Sequence, residues 1–507
     1  MSFPGSRVIR LSLLVLLFMG GYAVRDYRIH LLPLEFHPVR QYHSAIIARA
    51  LYYRHVSSLP DWQRQTADCA RQREDGMELP VMENLASLAY RIRGREGVWI
   101  PRLFASIFWL IGGVFIYLLS RKLFTEVGGL VSLAYFLFLP YGVLASRSFQ
   151  PDPLMVMMLL ASIYFIVRGF ESPTPARIVP VMVSSGLALL VKPQCLPVLF
   201  ASYVAVALFS YGVRAAARRP VLWILPFVAA LPALVFYLSR NPDETRTGFY
   251  WQVFFRAHYF VESSFWLGWL NMIDRVVGPA AFVAGLLGAA VAGKGLPRAL
   301  LSGLWAGYFV FGCIFNYEIH THDYYQLQVI PILALSLAPL ADLVANGFKA
   351  GISERVSEKV LKGALLVLAA VVALPSYLRT VSPRLNYADR DRVAEAEDIG
   401  RRVNHSTHLF FLSYANGEEV TYHGEVCGIP WPFKSDLEAA RLMGLPPQTA
   451  EERYKALAAQ YAPQFFVVTE MDEYEKQPDL QDFLRSNFRL LFSNPRYLIF
   501  DLRQPSD

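Results

Sequence analysis

The sequence predicts an α-helical polytopic membrane protein with about eleven transmembrane helices, surface helices in the first outer loop and a small C-terminal α/β domain. Three observations predict this class. Of 507 residues, 54% are hydrophobic and only 18% are charged, which is too apolar for a soluble protein of this length. Apolar stretches of about 17 to 25 residues, long enough to cross a bilayer as helices, recur along the chain. The tail after residue 380 has the mixed composition of a soluble domain.

The predicted spans cover about 8–24, 100–120, 127–145, 153–168, 177–192, 195–213, 220–238, 278–293, 299–316, 325–345 and 361–378. The connections on one side are rich in lysine and arginine, whereas the short loops on the other side hold only Arg147 and Lys192. The positive-inside rule therefore places the N-terminus in the cytoplasm of a cell (inner) membrane protein. We interpret the first span as an anchor, and the small residues at 21–23 leave a cleaved signal peptide as the alternative.

The tail predicts a second domain. "HLFFLS", "QFFVVT" and "RYLIF" are typical of short buried strands, and Thr449 to Glu452 form a capping box before an amphipathic helix. The predicted domains are therefore a transmembrane catalytic domain at 1–379 and an extracytoplasmic α/β domain at 380–507.

Net charge and cysteines exclude some classes of function. The net charge of +7 comes from short basic clusters between apolar stretches, which the membrane explains better than nucleic acid does. The four cysteines have no CxxC spacing, which argues against a zinc or haem site. Cys69 and Cys427 both fall in segments predicted outside the cytoplasm, and a disulfide between them stays open as the alternative to two free thiols.

Polar motifs gather on the predicted outer side, where ionisable groups at membrane depth are costly and are usually kept for a task. They are "LEFHPVRQYHSAIIARALYY" (34–53), "MELPVMENLASLAYRIRG" (77–94), "SRSFQPDPL" (146–154), "LLVKPQCLP" (189–197) and "HTHDYYQLQVIP" (320–331). The first two suit helices that lie on the membrane surface.

The order of these motifs resembles the GT-C membrane glycosyltransferases, in particular the branch of protein O-mannosyltransferases and lipid A aminoarabinose transferases. The resemblance covers about residues 8–345. It implies an integral-membrane inverting glycosyltransferase that moves a hexosyl or pentosyl group from a polyprenyl-phosphate-sugar donor to an extracytoplasmic acceptor. The implied partners are the donor, an envelope lipid, glycan or protein acceptor, and membrane lipids.

One departure from the resemblance changes the candidates for the catalytic base. Many relatives carry an adjacent Asp-Glu pair about nine and eight residues before the arginine of an Ala-Arg, and here Arg40 and Gln41 stand at that distance from Arg49. The chain resembles instead a bacterial variant with Arg-Gln at this place and a Glu-x-Pro on the second surface helix, here Glu78 to Pro80. The candidates for the base are, in order, Glu78, Glu35 and His43.

The chemistry of sugar transfer also requires groups for the leaving phosphate. A base contributes about 10² to 10⁴ in rate, and cations or hydrogen-bond donors must stabilise the phosphate. Residues predicted to bind the donor phosphate or substrate are Arg40, Arg147, Asp152, Lys192, His322, Tyr324 and Tyr325. A divalent cation is the one cofactor considered, with Glu78 and His322 as its candidate ligands.

Each candidate also has a structural interpretation. Asp152 before Pro153 is typical of a helix N-cap, and Lys192 is typical of a side chain that reaches from a helix end to the headgroups. Tyr324, Tyr325 and His322 would suit a membrane interface. A lipid or glycan transporter is the alternative function, although it predicts charges within mid-helix segments and broken helices in symmetric pairs, whereas here the ionisable residues gather at one face and no internal repeat is found.

Overall fold

The computed structural model describes residues 7–74, 76, 78–239, 255–352, 390–442 and 446–505. The chain divides into two compact units that are interleaved in sequence. The first unit comprises Met1–His30, Gly76–Val81 and Pro101–Asn386, and the second comprises Leu31–Asp75, Met82–Ile100 and Tyr387–Asp507. This division differs from the domains predicted from the sequence, because most of the first outer loop clusters with the tail. The predicted boundary at 379/380 lies outside the described residues.

The first unit is helical. Its described helices are α1 (Arg7–Asp26), α5 (Trp99–Leu123), α6 (Glu126–Phe138), α7 (Pro140–Ser146), α8 (Asp152–Glu171), α9 (Pro175–Val191), α10 (Leu196–Tyr211), α11 (Val213–Ala217), α12 (Val221–Leu238), α13 (Ser263–Val276), α14 (Pro279–Val291), α15 (Leu296–Ile314), α16 (Asn316–Thr321) and α17 (Val329–Ile352). Short 3₁₀ turns occupy Pro193–Cys195, Ala257–Val261 and Asp323–Gln328.

Five stretches among the described residues are long and apolar enough to cross a membrane, and the number rises to seven if each bent helix pair counts as one span. The five are Trp99–Leu123, Asp152–Glu171, Pro193–Tyr211, Val221–Leu238 and Asp323–Asn346, and each coincides with a predicted span. The predicted number of about eleven is not confirmed. The predicted span at 361–378 lies outside the described residues.

Two sharp bends between consecutive helices have visible reasons. The stretch at 127–145 bends by 60° between α6 and α7, because Pro140 cannot donate the next helical hydrogen bond and starts a new helix. The stretch at 278–293 is preceded by α13, and the two helices meet at 95°. Gly278 joins them with φ of 78°, a conformation that favours glycine.

Small residues bring α10 and α15 into close contact. A Cβ atom on Gly307 would lie 2.6 Å from the Cα of Val198, and one on Gly303 would lie 2.6 Å from the Cβ of Ala205. The two glycines are four residues apart and therefore share one helix face, as in other membrane helix pairs. This packing fixes α10, and with it the helix break at its N-terminal end.

The second unit combines the first outer loop with the tail. The loop contributes α2 (Pro38–Tyr53), α3 (Asp61–Arg73) and α4 (Val81–Arg93), of which only Val81 belongs to the first unit. The tail contributes α18 (Arg390–Arg402), α19 (Glu418–Gly424), α20 (Lys434–Leu442), α21 (Ala450–Tyr461), α22 (Met471–Glu475) and α23 (Pro478–Asn487). A disulfide joins Cys69 to Cys427, and Arg49 pairs with Glu96 at 2.8 Å while it also donates to the carbonyl of Tyr422.

A five-stranded sheet forms the centre of the tail. Its strands are β1 (Leu409–Leu412), β2 (Gly428–Pro430), β3 (Phe465–Val468), β4 (Arg489–Ser493) and β5 (Leu498–Asp501), in the order β2-β1-β3-β5-β4. Strand β1 is parallel to both β2 and β3, whereas β5 is antiparallel to β3 and β4. Alternate residues of β1 and β3 fill two cores, and Phe410 and Phe411 belong to different ones. The predicted strands and the predicted capping box at Thr449 and Glu452 are present.

Candidate active site

Lys192 lies at the centre of the candidate site. Helix α9 ends at Val191 because Pro193 follows, and Lys192 itself has an extended backbone. Its side chain is only 4% exposed. Its Nζ atom donates to Oδ1 of Asp152 at 2.8 Å and lies 3.4 Å from Oε1 of Glu78. A buried ammonium ion between two carboxylates does not match a side chain that reaches out to lipid headgroups.

Asp152 is positioned by the start of α8. Asp152 is the first helical residue, Pro151 is the N-cap, and no side chain caps this helix. The Asp152 carboxylate is therefore available to hold the ammonium of Lys192, and it is 2% exposed. The N-cap interpretation of Asp152 does not describe this geometry.

The tyrosines of "HTHDYYQLQVIP" form one side of the same cluster. The 3₁₀ turn Asp323–Gln328 places the rings of Tyr324 and Tyr325 with their centroids 5.7 and 5.9 Å from Nζ of Lys192, within the distance at which an ammonium ion is attracted to an aromatic face. The ring of His322 lies 5.5 Å from that of Tyr324. Six of the predicted site residues therefore meet here, namely Glu78, Asp152, Lys192, His322, Tyr324 and Tyr325.

Arg147 is buried in the same unit, at the end of α7. It is 1% exposed, and its carbonyl accepts a hydrogen bond of 3.0 Å from Arg102. Burial lowers the pKa of Arg147 to about 10, against a smaller opposite effect of Asp26, so the side chain stays cationic at neutral pH.

Glu35, Arg40 and His43 belong to the second unit. Glu35 is 8% exposed, and Nδ1 of His43 lies 2.5 Å from Oε2 of Glu74. Burial alone would lower the pKa of His43, but the hydrogen bond and charge of Glu74 outweigh burial and the charge of Arg40, so this pKa is raised.

The described part of the chain contains one set of side chains that could hold a divalent cation. His43, Glu74 and Glu418 are the described set of three ligand-type side chains whose ligand atoms lie within 4.8 Å of one another. Glu78 and His322 do not belong to such a set among the described residues. The Oε1 atom of Glu78 lies instead 3.4 Å from the ammonium of Lys192. Metal binding by Glu78 and His322 stays a prediction. The carboxylates of Glu78 and Asp152 have the ammonium group of Lys192, rather than a metal, as their positive partner.

Several polar groups near these motifs were not predicted from the sequence. Both side-chain amide atoms of Gln150, Oδ2 of Asp152, and Oε1 of Gln194 and of Gln328 are buried and have no hydrogen-bond partner among the described residues. Such atoms are costly unless a ligand or water satisfies them. The sequence signal that could have revealed these groups is a glutamine within a largely apolar stretch.

Glu318 is a further unpredicted residue. It lies on α16 just before the tyrosine motif, is 1% exposed, and its two carboxylate oxygens have no hydrogen-bond partner among the described residues. Burial raises the pKa of Glu318 to about 8. A carboxyl group that titrates near neutral pH inside a fold is often functional.

An apolar cavity of about 490 Å³ runs along α8, α9, α10 and α12. Leu189 and Leu196, close to Lys192 in the sequence, line it together with Arg218 and Arg219, which follow the opposite end of α10. The described residues that line the cavity include no carboxylate. Its lining therefore suits the binding of a hydrocarbon chain rather than catalysis.

Comparisons with known proteins agree with the predicted resemblance. Residues 78–238 match the family described as dolichyl-phosphate-mannose-protein mannosyltransferase. This stretch includes Glu78, Arg147, Asp152 and Lys192. A search of curated proteins returns no match.

Solved structures share the fold over almost the whole chain. Apo ArnT from Cupriavidus metallidurans is 16% identical with a TM-score of 0.59, and 97% of each chain is covered. The same protein bound to undecaprenyl phosphate is 15% identical with a TM-score of 0.58 and the same coverage. An Archaeoglobus fulgidus oligosaccharyltransferase in complex with Zn and sulfate is 13% identical with a TM-score of 0.55, covering 96% of this chain and 73% of that one. The predicted membrane-helical fold and the resemblance to GT-C glycosyltransferases are confirmed.

Proposed function

We propose that this multi-pass membrane protein is an inverting glycosyltransferase that moves a hexosyl or pentosyl group from a polyprenyl-phosphate donor to an extracytoplasmic lipid, glycan or protein acceptor. The observation that carries the proposal is the buried ammonium of Lys192 between Glu78 and Asp152, beside Tyr324 and Tyr325. A base, a cation and hydroxyl donors are the groups that this displacement needs.

The donor phosphate would bind at Lys192 and the tyrosines. A phosphate oxygen can accept from the ammonium and from the phenol groups, which makes it a better leaving group as negative charge develops. ArnT has been solved with undecaprenyl phosphate bound, which supports a lipid phosphate as the kind of donor. The apolar cavity that begins at Leu189 and Leu196 offers space for its hydrocarbon chain.

Glu78 would act as the general base. In the free protein the ammonium of Lys192, 3.4 Å away, attracts the Glu78 carboxylate. When the phosphate engages Lys192, Glu78 loses part of this attraction and accepts the acceptor hydroxyl's proton more readily. The acceptor oxygen then forms a bond to the anomeric carbon while the bond from that carbon to the phosphate oxygen breaks, and polyprenyl phosphate leaves. Asp152 would keep Lys192 oriented throughout.

No step of this mechanism is routed through a metal ion. The oligosaccharyltransferase of similar fold has been solved with Zn, but the described residues around Lys192 do not form a metal-ligand set.

Transfer by the purified protein tests the proposal. The protein in detergent is given a polyprenyl-phosphate sugar and a mixture of envelope lipids and glycans, and labelled product is measured. We expect Lys192→Ala to weaken donor binding and to lower transfer by about 10² or more. The matched control is Lys294→Ala, which removes an exposed lysine. Equal transfer by the wild type and Lys192→Ala would contradict the phosphate role, and movement of the lipid across vesicles without transfer would favour the transporter.

A further inference from the structure

The tail holds a polar cavity of about 440 Å³ at the carboxyl ends of its parallel strands. Ser413 follows β1, and Thr469 and Glu470 follow β3; all three line the cavity. Because β1 and β3 are parallel neighbours, their ends meet at one edge of the sheet. The volume is within the roughly 300 to 1,000 Å³ of small-molecule sites.

This edge is a topological switch point. From β1 the chain goes to β2 on one side, and it then crosses to β3 on the other side of β1. Connections that leave in opposite directions open a crevice between the two strand ends, which is where open α/β sheets bind their ligands.

The backbone beside the cavity has an unusual conformation. The turn Tyr414–Gly417 follows Ser413, and Ala415, Asn416 and Gly417 have φ of 52°, 55° and 80°. A Cβ atom on Gly417 would lie 2.6 Å from the ring of Phe411, so this position requires glycine. Consecutive left-handed residues cost free energy and cluster at ligand sites.

The lining combines hydrogen-bond donors and acceptors. Arg392 pairs with Glu419 at 2.5 Å, and Arg496 pairs with Asp391 at 3.1 Å and also with Glu395. The hydroxyl of Thr469 donates to that of Ser413 at 2.8 Å. Outside the lining, the ring of Tyr414, which is 40% exposed, lies 5.0 Å from the guanidinium of Arg392.

The charges of the lining exclude some ligands. The lining contains more acidic residues than basic ones. The basic residues are Arg392 and Arg496, and the acidic ones are Asp391, Glu395, Glu419, Glu470 and Asp472. This excess of negative charge disfavours phosphates and acidic sugars. The carboxylates do not form a set of three within cation-binding distance, although all cavity residues are described. Alternating donors and acceptors suit hydroxyl groups, each of which both donates and accepts.

We propose that this cavity binds a non-acidic sugar unit of the acceptor glycan. The proposal rests on the proposed function, because it makes the tail the part that recognises the acceptor while the cluster around Lys192 performs transfer. An amine-bearing sugar should bind more tightly than a neutral one, because the lining has excess negative charge. Burial, together with the charge of neighbouring Asp472, raises the pKa of Glu470 against the effect of Arg392.

Sugar binding by the full-length protein in detergent, without donor, tests the proposal. The probes are oligomers of N-acetylglucosamine (neutral), glucosamine (cationic) and a uronic acid (anionic), with a short lysine-rich peptide as the competing class, measured by calorimetry. We expect the first two to bind, the third and the peptide not to bind, and Thr469→Val and Glu470→Gln each to weaken binding by about tenfold, the loss of one hydrogen bond. Glu475→Gln, an exposed acid on α22 outside the cavity lining, should bind like the wild type.

The outcomes separate this proposal from the proposed function. Glu78→Gln should keep wild-type sugar binding whether or not it transfers. A wild-type protein that transfers sugar but binds no probe would overturn the cavity proposal alone, and so would a wild-type protein that binds the peptide instead. The same holds if Glu475→Gln weakens sugar binding as much as the two variants of the lining do. Sugar binding without any transfer would leave the cavity as a glycan site and overturn its place in an enzyme. Unfolding temperatures close to that of the wild type show that each variant is folded.

Discussion

Lys192 is the residue on which the candidate site depends most. An ammonium ion that is 4% exposed has lost most of its hydration, and the carboxylates of Asp152 and Glu78 compensate for this. Removing one partner from a buried ion pair costs about 3–5 kcal/mol because a charge is left uncompensated. Stability measurements must therefore accompany every activity measurement at these three positions.

Glu318 predicts a dependence of stability on pH. Its pKa in the folded protein is raised to about 8 by burial, above the value of about 4.3 in an unfolded chain. The favourable contribution of the neutral carboxyl group is complete below the unfolded value and is lost as pH rises through the folded value. We expect Glu318→Gln to leave the unfolding temperature almost unchanged at pH 5 and to raise it relative to the wild type at pH 9.

Thermal unfolding of both proteins in detergent between pH 5 and pH 9 checks this expectation. Glu262→Gln, which changes a partly exposed acid, is the matched control. An unfolding temperature of Glu318→Gln that follows the wild type at every pH would show that Glu318 is solvated in the protein.

The sequence predicts charged site residues better than neutral ones. Lys192 and Asp152 were predictable because each stands beside a proline at the end of an apolar stretch, where a charge needs a reason. Gln150 and Gln194 were missed because an amide carries no charge, so its place in a polar motif does not by itself indicate a function. Only the packing around them shows that their side-chain atoms are buried without partners.

Helix breaks decide where the site residues lie. Pro193 stands two residues after Val191, the last residue of α9, and leaves Lys192 extended, while Pro153 fixes the first turn of α8. These breaks were predictable because proline has a local effect that holds in any fold. The 95° angle between α13 and α14 was not predictable, because a glycine permits a bend without specifying its direction.

The disulfide between α3 and the tail predicts a redox-dependent stability. Cys69 and Cys427 are separated by 358 residues, so their bond closes a long loop in the unfolded chain and should stabilise the fold by about 2–4 kcal/mol. We expect a reductant to lower the unfolding temperature of the wild type, and Cys69→Ser to unfold at the lower temperature with or without reductant.

The matched control for the disulfide is Cys313→Ser, because Cys313 is a free thiol. It should keep both the wild-type unfolding temperature and its response to reductant. A Cys69→Ser protein with the stability of this control would mean that the bond contributes nothing to the fold.

The interleaving of the two units is a property that the sequence did not reveal. The residues 31–75 and 82–100 cluster with a tail that begins about 300 residues later, through contacts such as those of Arg49 with Tyr422 and Trp62 with His405. Hydrophobic periodicity reports local structure and contains no information on which distant segments pair. Three of the tail's five strands, β1, β3 and β5, were by contrast predicted from local pattern, whereas β2 and β4 were not.

The orientation of the whole molecule remains a prediction that fusion proteins can test. A disulfide in the second unit is typical of an oxidising compartment, and the basic residues at Arg218 and Arg219 favour a cytoplasmic connection. We expect alkaline phosphatase to be inactive when fused after Arg219 and active when fused after Gln504. Activity after Arg219 would reverse the orientation and place the Lys192 cluster on the cytoplasmic side.

In the proposed mechanism Glu78 is the base of a transferase whose phosphate site is Lys192. The most direct measurement is single-turnover transfer from a polyprenyl-phosphate sugar by Glu78→Gln, with donor affinity measured on the same preparation. We expect the chemical step to fall by about 10² or more while donor affinity stays within about threefold of the wild type, because glutamine keeps the shape and hydrogen bonding but accepts no proton. Full transfer activity in a folded Glu78→Gln would contradict the claim and move the base to Glu35 or His43.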